Sequence, residues 1–337
     1  VELGTTALKG AIDSANIDPN IIQQVIFGNV LQSGVGQNPA RQIAIKAGVP
    51  DTTPAMTINE VCGSGLKAII LGKQLIQLGE ADVVAVGGVE SMTNAPQLIL
   101  KEGQEPVESF MHDGLTDAFH YVPMGVTAEN IAEKYDITRE MQDEFANHSQ
   151  AKAAKATQDG KFNNEIIGMT DAEGEQMTSD EGVRPNSSVE KLATLKTIFK
   201  EDGTVTGGNA SSINDGSSAL ILMEESYAKA HGYDILGIVG DYAEVGCDPQ
   251  YMGYAPFYAV EKLLDKTDSK IDDVDIVEMT EAFAAQSIPV KDNLHIPDEK
   301  LNIYGGAIAL GHPIGASGAR LVTTLVNALE QENKRTG

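Results

Sequence analysis

The sequence predicts an α/β protein made of two similar halves separated by a long inserted segment, and three observations carry that prediction. First, helical and strand patterns alternate. Leu3, Ala7, Leu8 and Ile12 recur at helical spacing and stop near Asn16, and Ile21–Gly28 then reads as a short, mostly buried strand. Second, the order recurs late in the chain. Ala259, Leu263 and Leu264 mark an amphipathic stretch, followed by Ile271-Asp272-Asp273 and the strand-like run Asp275–Met279, so that Ile271-Asp272 stands where Ile17-Asp18 does. Third, the spacing matches. Ser64-Gly65 opens a helix carrying Leu66, Ile69, Ile70 and Leu75, and Ser317-Gly318 opens one carrying Leu321, Val322, Leu325 and Leu329. Ile17 precedes Gly65 by 48 positions, and Ile271 precedes Gly318 by 47. An internal duplication accounts for this; chance matching of two α/β segments is the alternative.

Composition bounds the partners. The 337 residues suit two or three domains, and 42% hydrophobic residues with 34 glycines suit a globular α/β chain. A formal net charge of −25 excludes nucleic acid or an anionic membrane as partner except through a local patch. No apolar run reaches the roughly 18–20 residues that span a bilayer, and Val1-Glu2-Leu3-Gly4 begins neither basic nor hydrophobic. A soluble, cytoplasmic protein is expected. Val1 is not an initiator methionine, so a trimmed chain is expected too. Two cysteines, Cys62 and Cys247, are too few for a disulfide scaffold or a paired-cysteine metal site.

From about Met92 to Ser212 the pattern loosens. One helix is clear there: Thr138 is a good N-cap, Glu140 and Asp143 favour the positive helix end, Met141 and Phe145 lie a turn apart, and Gly160 stops it. The predicted organisation is residues 1–91 with 213–234 as one half, 92–212 as an inserted loop domain that covers a site, and 235–337 as the other half.

The best chemical motif is Asn59-Glu60-Val61-Cys62-Gly63-Ser64-Gly65-Leu66-Lys67-Ala68. A β-prone approach ends and a long helix begins, which puts Cys62 in the turn before a helix N-terminus. Unpaired N–H groups and the helix dipole there favour a thiolate and an oxyanion. Cys247, in the turn Val245–Pro249, has no activating partner and reads as a packed small side chain. Gly63-x-Gly65-x-x-Ala68 also fits a dinucleotide turn, but Val83–Val86 is followed by Gly87-Gly88 rather than a ribose-binding acid, which argues against a nicotinamide oxidoreductase. The second motif is Gly305–Gly318. His312 lies between Gly311 and Pro313, in the loop equivalent to that of Cys62, so halves packed about a pseudo-twofold axis would bring imidazole to thiol as an acyl-transfer pair. The third, Thr280–Gln286, places polar groups at a strand end.

Asn59–Ala68, Thr280–Gln286 and Gly305–Arg320 resemble the three signature regions of the thiolases, most closely the acetyl-CoA acetyltransferases, and the resemblance extends over essentially the whole chain through Gly203–Ser211 and Asp248–Gly253. It implies a duplicated α-β-α-β-α layered fold with a loop domain inserted in the first half. It implies Cys62 as the nucleophile that takes an acetyl group from acetyl-CoA, with His312 activating it, in a reversible Claisen condensation to acetoacetyl-CoA and CoA. Thr280 stands where these enzymes usually carry an asparagine that holds a catalytic water. CoA contacts would fall at Met124, Arg184, Phe199, Ser211, Met252, Ala282, Phe283 and Gly315. Arg184, Lys191, Lys196 and Lys200 form a basic island suited to a polyanionic ligand. CoA thioesters enter as substrates, and neither a metal nor a resident cofactor is expected. Degradative 3-ketoacyl-CoA thiolysis, a β-ketoacyl carrier-protein synthase and a CoA-binding protein without turnover are the alternatives.

The sequence departs from the family in four ways. The second catalytic cysteine belongs in a Cys-Gly-Gly-Gly motif shortly after the helix beginning at Gly318, and the sequence stops at Gly337 before it; a strand upstream of Val1 is missing as well, so truncated ends are expected. Thr280 replaces asparagine. Pro123-Met124-Gly125 replaces His-Met-Gly. The segment Gln97–Met111 is short and acidic, which favours a homodimer over a tetramer.

Overall fold

The computed structural model describes residues 1–171 and 174–337. It opens with helix α1 (Glu2–Ser14), strand β1 (Gln24–Gly28), helix α2 (Pro39–Lys46), strand β2 (Ala55–Ile58), helix α3 (Ser64–Gln77) and strand β3 (Val83–Ser91). A hairpin of β4 (Gln97–Leu98) and β5 (Val107–Glu108) follows, then α4 (Met124–Lys134), α5 (Arg139–Gln158), the short pair β6 (Met169–Thr170) and β7 (Gln176–Met177), and α6 (Val189–Ala193). The chain returns as β8 (Asp215–Met223) and α7 (Glu225–His231), and ends with α8 (Ala255–Thr267), α9 (Ala284–Asn293), α10 (Ala307–Leu310) and α11 (Ser317–Gln331).

The sheet has the order β2-β1-β3-β8. β1 runs parallel to β2 and β3, while β8 is antiparallel to β3 along its whole length. Both faces are covered, which is why β1 reads as a continuous apolar run rather than an alternating one. Val25 and Phe27 pack with Leu8 and Ile12 of α1 and Ile43 of α2. Ile26 points the other way and packs with Ala68 and Ile69 of α3 and Val84 and Val86 of β3, with Val322 of α11 against the same cluster. Each such aliphatic side chain contributes about 1.5–3 kcal/mol when fully buried.

The middle segment is more regular than its sequence suggests. Thr138 caps α5 as expected, its hydroxyl accepting from the Met141 N–H at 3.2 Å, and Gly160 takes a positive φ just past the helix end. α4 is a second helix there that the sequence reading did not single out, with Ala128, Ile131 and Ala132 buried at helical spacing. Its residues, with those of α5, wrap α9, a helix buried from Ala284 through Val290.

The second half corrects one expectation. Asp275–Met279 forms no regular strand: Val277 makes a single bridge to Leu301, and the N–H groups of Asp275 and Ile276 reach the Thr336 carbonyl. Residues 234–247 run extended, with no backbone-to-backbone hydrogen bond among the described residues, and are held by side chains such as Lys262, whose ammonium donates to the Glu244 carbonyl at 2.9 Å. Apolar periodicity reports which side chains are buried. It does not report whether a neighbouring strand offers the repeating donors and acceptors that a ladder needs.

The two halves meet backbone to backbone. The N-terminal ends of α3 and α11 abut, and a methyl on Gly65 would lie 2.6 Å from the Ala319 nitrogen. A methyl on Gly28 would lie 2.7 Å from the Gly315 carbonyl oxygen, and one on Gly88 would overlap the same oxygen. Gly88→Ala is therefore expected to cost about 3 kcal/mol, because backbone rather than a flexible side chain must move. A urea unfolding midpoint unchanged in this variant would contradict the contact.

Candidate active site

β2 delivers the chain to the turn Asn59–Gly63, and side chains hold that turn. Asn59 Oδ1 accepts from the Val61 N–H at 2.9 Å; Ser64 Oγ accepts from the Glu60 N–H at 2.8 Å and donates to the Val61 carbonyl at 2.6 Å. Val61 has φ 48°, a left-handed conformation that is costly for a β-branched residue, on the order of 1–3 kcal/mol. Strain of that kind, immediately before Cys62, aims the thiol. Cys62 sits one residue before the Gly63 N-cap of α3 and packs against an apolar cluster of Val30, Leu31, Met92 and Ile314, with Phe110 and Leu115 alongside.

His312 arrives from the other half. α10 ends at Gly311, whose φ of 97° turns the chain, and the His312 N–H donates to Asn214 Oδ1 at 3.1 Å. Its ring is buried at 6% exposure, and Nε2 lies 3.2 Å from Cys62 Sγ. The other ring nitrogen, Nδ1, is 2.6 Å from Ser317 Oγ, which itself donates to the Pro313 carbonyl at 3.0 Å. When the hydroxyl donates to that carbonyl, Nδ1 carries the ring proton and Nε2 is the acceptor facing the thiol. The geometry is that of a base poised to take the Cys62 proton, oriented by a third group.

Both groups are neutral at rest. Loss of water pushes the Cys62 thiol up to about 11, and the same loss, with Arg320 adding to it, pushes the His312 imidazole down to about 4. Burial works against the thiolate expected at the start of α3: a helix end contributes at most about 2 kcal/mol, whereas burial shifts such groups by up to about 3–5 pK units.

The remaining sequence-derived residues fall in two groups. Phe199 and Phe283 meet edge to face with centroids 6.3 Å apart, and Phe199 covers Gly125 beside Met124, the first residue of α4. Ser211 donates to the Ala282 carbonyl from both N–H (2.9 Å) and Oγ (3.0 Å), which ties it to the same wall. Met252 lies in a 3₁₀ turn, Pro249–Tyr254, that packs on α4 and α9. The backbone of Arg184 is held at both ends, its N–H donating to Gln150 Oε1 at 2.7 Å and its carbonyl accepting from the Ser187 N–H at 3.0 Å, while its exposed side chain makes no ion pair among the described residues. Nor does Lys196, while Lys200 pairs with Glu133 at 3.3 Å and Lys191 donates to the Asn186 carbonyl. Thr280 is half-buried, with no hydrogen bond to its hydroxyl among the described residues. Gly315 contributes its N–H to the carboxylate of Glu90 at 2.9 Å.

Among the buried carboxylates that were not foreseen, Glu90 and Glu281 flank the site. Glu90, near the end of β3, is 0% exposed and bonded throughout, so no ribose-binding role is open to it. Glu281, next to Thr280, is 2% exposed and accepts from Ser149, Asn302 and the Ile308 N–H. The signal in each case was an acid inside an otherwise apolar or strand-end run.

A family model for the thiolase N-terminal domain matches residues 1–226, and one for the thiolase C-terminal domain matches residues 233–337. The chain belongs to the thiolase family. A probable acetyl-CoA acyltransferase of Staphylococcus aureus (strain COL) is 50% identical over 98% of this chain and 87% of its own length. The crystal structure of human mitochondrial 3-ketoacyl-CoA thiolase in complex with CoA superimposes with a TM-score of 0.95 at 40% identity, over 98% of this chain and 86% of that one. The acetyl-CoA acetyltransferase of Bacillus anthracis gives 0.94 at 38%, over 99% and 87%. The mixed α/β arrangement with its mainly parallel sheet is accordingly the thiolase fold. No helix among the described residues of this thiolase is long and apolar enough to cross a membrane.

A neutral resting pair has a kinetic signature. Alkylation of Cys62 is expected to have a part carried by the neutral imidazole that is nearly independent of pH above about 4, with a rise toward pH 11 as free thiolate forms; His312→Ala should remove the first part, slowing the reaction about tenfold or more near neutral pH and leaving only the rise. Peptide mapping after iodoacetamide checks this. An unchanged rate and profile in His312→Ala would contradict the role of the imidazole.

Proposed function

We propose that this thiolase condenses two molecules of acetyl-CoA to acetoacetyl-CoA and CoA, reversibly, through an acetyl-Cys62 intermediate. The observation that carries the acyl transfer is the 3.2 Å approach of His312 Nε2 to Cys62 Sγ. As the sulfur attacks the thioester carbon, its proton passes to Nε2; the carbon–sulfur bond to CoA breaks, and the departing CoA thiolate takes that proton. In the second step an α-proton leaves the second acetyl-CoA to a base, the carbanion so formed attacks the acetyl carbon, and the bond from that carbon to the Cys62 sulfur breaks; the sulfur takes up a proton and returns to the thiol, so that the α-proton of the substrate is balanced by the proton regained by Cys62. Met124, Arg184, Phe199, Ser211, Met252, Ala282, Phe283 and Gly315 are the proposed CoA contacts, with the unpaired Arg184 supplying charge for the phosphates. Thr280 is proposed to hold a water at the thioester oxygen, since a free hydroxyl donates and accepts. The name of the S. aureus relative supports acyl transfer from acetyl-CoA. The large side chains packed around Cys62 favour a short acyl group.

Likeness to human mitochondrial 3-ketoacyl-CoA thiolase favours a second reading, cleavage of longer 3-ketoacyl-CoA by the same pair. Thiolysis of acetoacetyl-CoA and of 3-ketohexadecanoyl-CoA, measured side by side, separates them. The proposal expects kcat/KM at least about tenfold higher for acetoacetyl-CoA and a loss of about 10³-fold or more on either substrate in Cys62→Ala. A preference for the long chain would establish the second reading, and binding of CoA without turnover would sink both.

A further inference from the structure

Glu90 is the most fully engaged buried side chain near the site, and nothing in the proposed reaction uses it. Its Oε1 accepts from Asn29 Nδ2 at 2.8 Å and from the Leu31 N–H at 3.0 Å. Its Oε2 accepts from the Val30 N–H at 3.1 Å and from the Gly315 N–H at 2.9 Å. Three of these donors belong to the segment following β1, and the fourth belongs to the loop that carries His312. The two places so joined are the ones that matter for the pair. Val30 and Leu31 form part of the apolar wall against which Cys62 packs, as does Ile314, the residue before Gly315.

The need for an acid here is chemical. Four donors converge on one side chain, and only an ionised carboxylate offers four acceptor positions. A glutamine would turn an NH₂ toward two of the donors. Asn29 shows the same priority: its Nδ2 is spent on Glu90 and on the Val89 carbonyl, while its buried Oδ1 is left without a partner. An unsatisfied buried acceptor costs about 1–3 kcal/mol, so the surroundings are arranged around the carboxylate rather than around the amide.

We propose that Glu90 is a positioning residue for acyl transfer: by clamping the Val30–Leu31 wall to the Gly315 loop, it fixes His312 Nε2 within reach of Cys62 Sγ. The inference rests on the Cys62–His312 reading above. Its charge, lying within electrostatic reach of Cys62, also disfavours the free thiolate, which adds a second observable.

Glu90→Asp and Glu90→Gln separate geometry from charge. Aspartate keeps the charge but is one methylene shorter, too short to bridge all four donors. The readout is the rate of iodoacetamide addition to Cys62, followed by peptide mass across pH, in the full chain with and without His312→Ala. Glu90→Asp should slow alkylation about tenfold near neutral pH when His312 is present and less than about twofold in His312→Ala, because the effect passes through the imidazole. Glu90→Gln should move the inflection of the pH profile to lower pH, since it removes a negative charge near the sulfur. Equal slowing by Glu90→Asp in both backgrounds, or no slowing in either, would overturn the proposal. If Glu90→Asp does not melt cooperatively, Asn29→Ala, which removes one donor, is read in the same two backgrounds. There a loss of about threefold confined to the His312 chain supports the clamp, and equal rates refute it. Alkylation needs no CoA, so a positive result together with absent acyl transfer would refute the acyltransferase reading and leave the clamp standing.

Discussion

Everything in the site depends on how closely two backbones approach. The start of α3 and the start of α11 abut, and β1 and β3 press on the Gly315 carbonyl, at positions where a side chain has no room. Cys62 immediately precedes the first of these helices, and His312 lies five residues before Ser317, the first residue of the second. Bringing the helix tips together therefore brings thiol and imidazole together. Glycine at Gly28, Gly65, Gly88 and Gly315 is a steric requirement of that contact, and the 3.2 Å separation is its product.

Close packing also sets the electrostatics. Burial at the junction pushes the Cys62 thiol up and the His312 imidazole down, which favours the neutral form of each. The same exclusion makes buried acids in this region expensive unless they are fully bonded. Glu90 and Glu281 meet that condition, each tying together segments distant in sequence: Glu90 joins the loop after β1 to the His312 loop, and Glu281 joins α5 to the segment around α10. Glu278 and Glu165 do so less completely. Burial pushes all four carboxyls up, Glu278 to about 8 and Glu165 to about 7, with Arg320 opposing the shift in those two.

Much of this was legible in the sequence because it depends on local pattern. Cys62 before a helix and His312 among glycines each show in a dozen residues or fewer, and the matched spans of 48 positions to Gly65 and 47 to Gly318 relate the two. Thr138 announced α5 by its own chemistry. What escaped was long-range. The acceptor roles of Glu90 depend on donors about 60 and 225 positions away, and no local window contains them. Asp275–Met279 looked like a strand because Ile276 and Met279 are buried, yet pairing is a property of the neighbour rather than of the run. The helix end that favours a thiolate is visible in sequence, whereas the packing around Cys62 that opposes it is not.

The central claim, that contact between the halves makes Cys62 the acyl acceptor with His312 as its base, is tested most directly by mass. Intact mass and peptide mapping after incubation with acetyl-CoA should show one acetyl group, on Cys62, and none there in His312→Ala over the same interval at neutral pH. Acetyl carried by Cys247 or lysines instead, or equal labelling of Cys62 without His312, would contradict it.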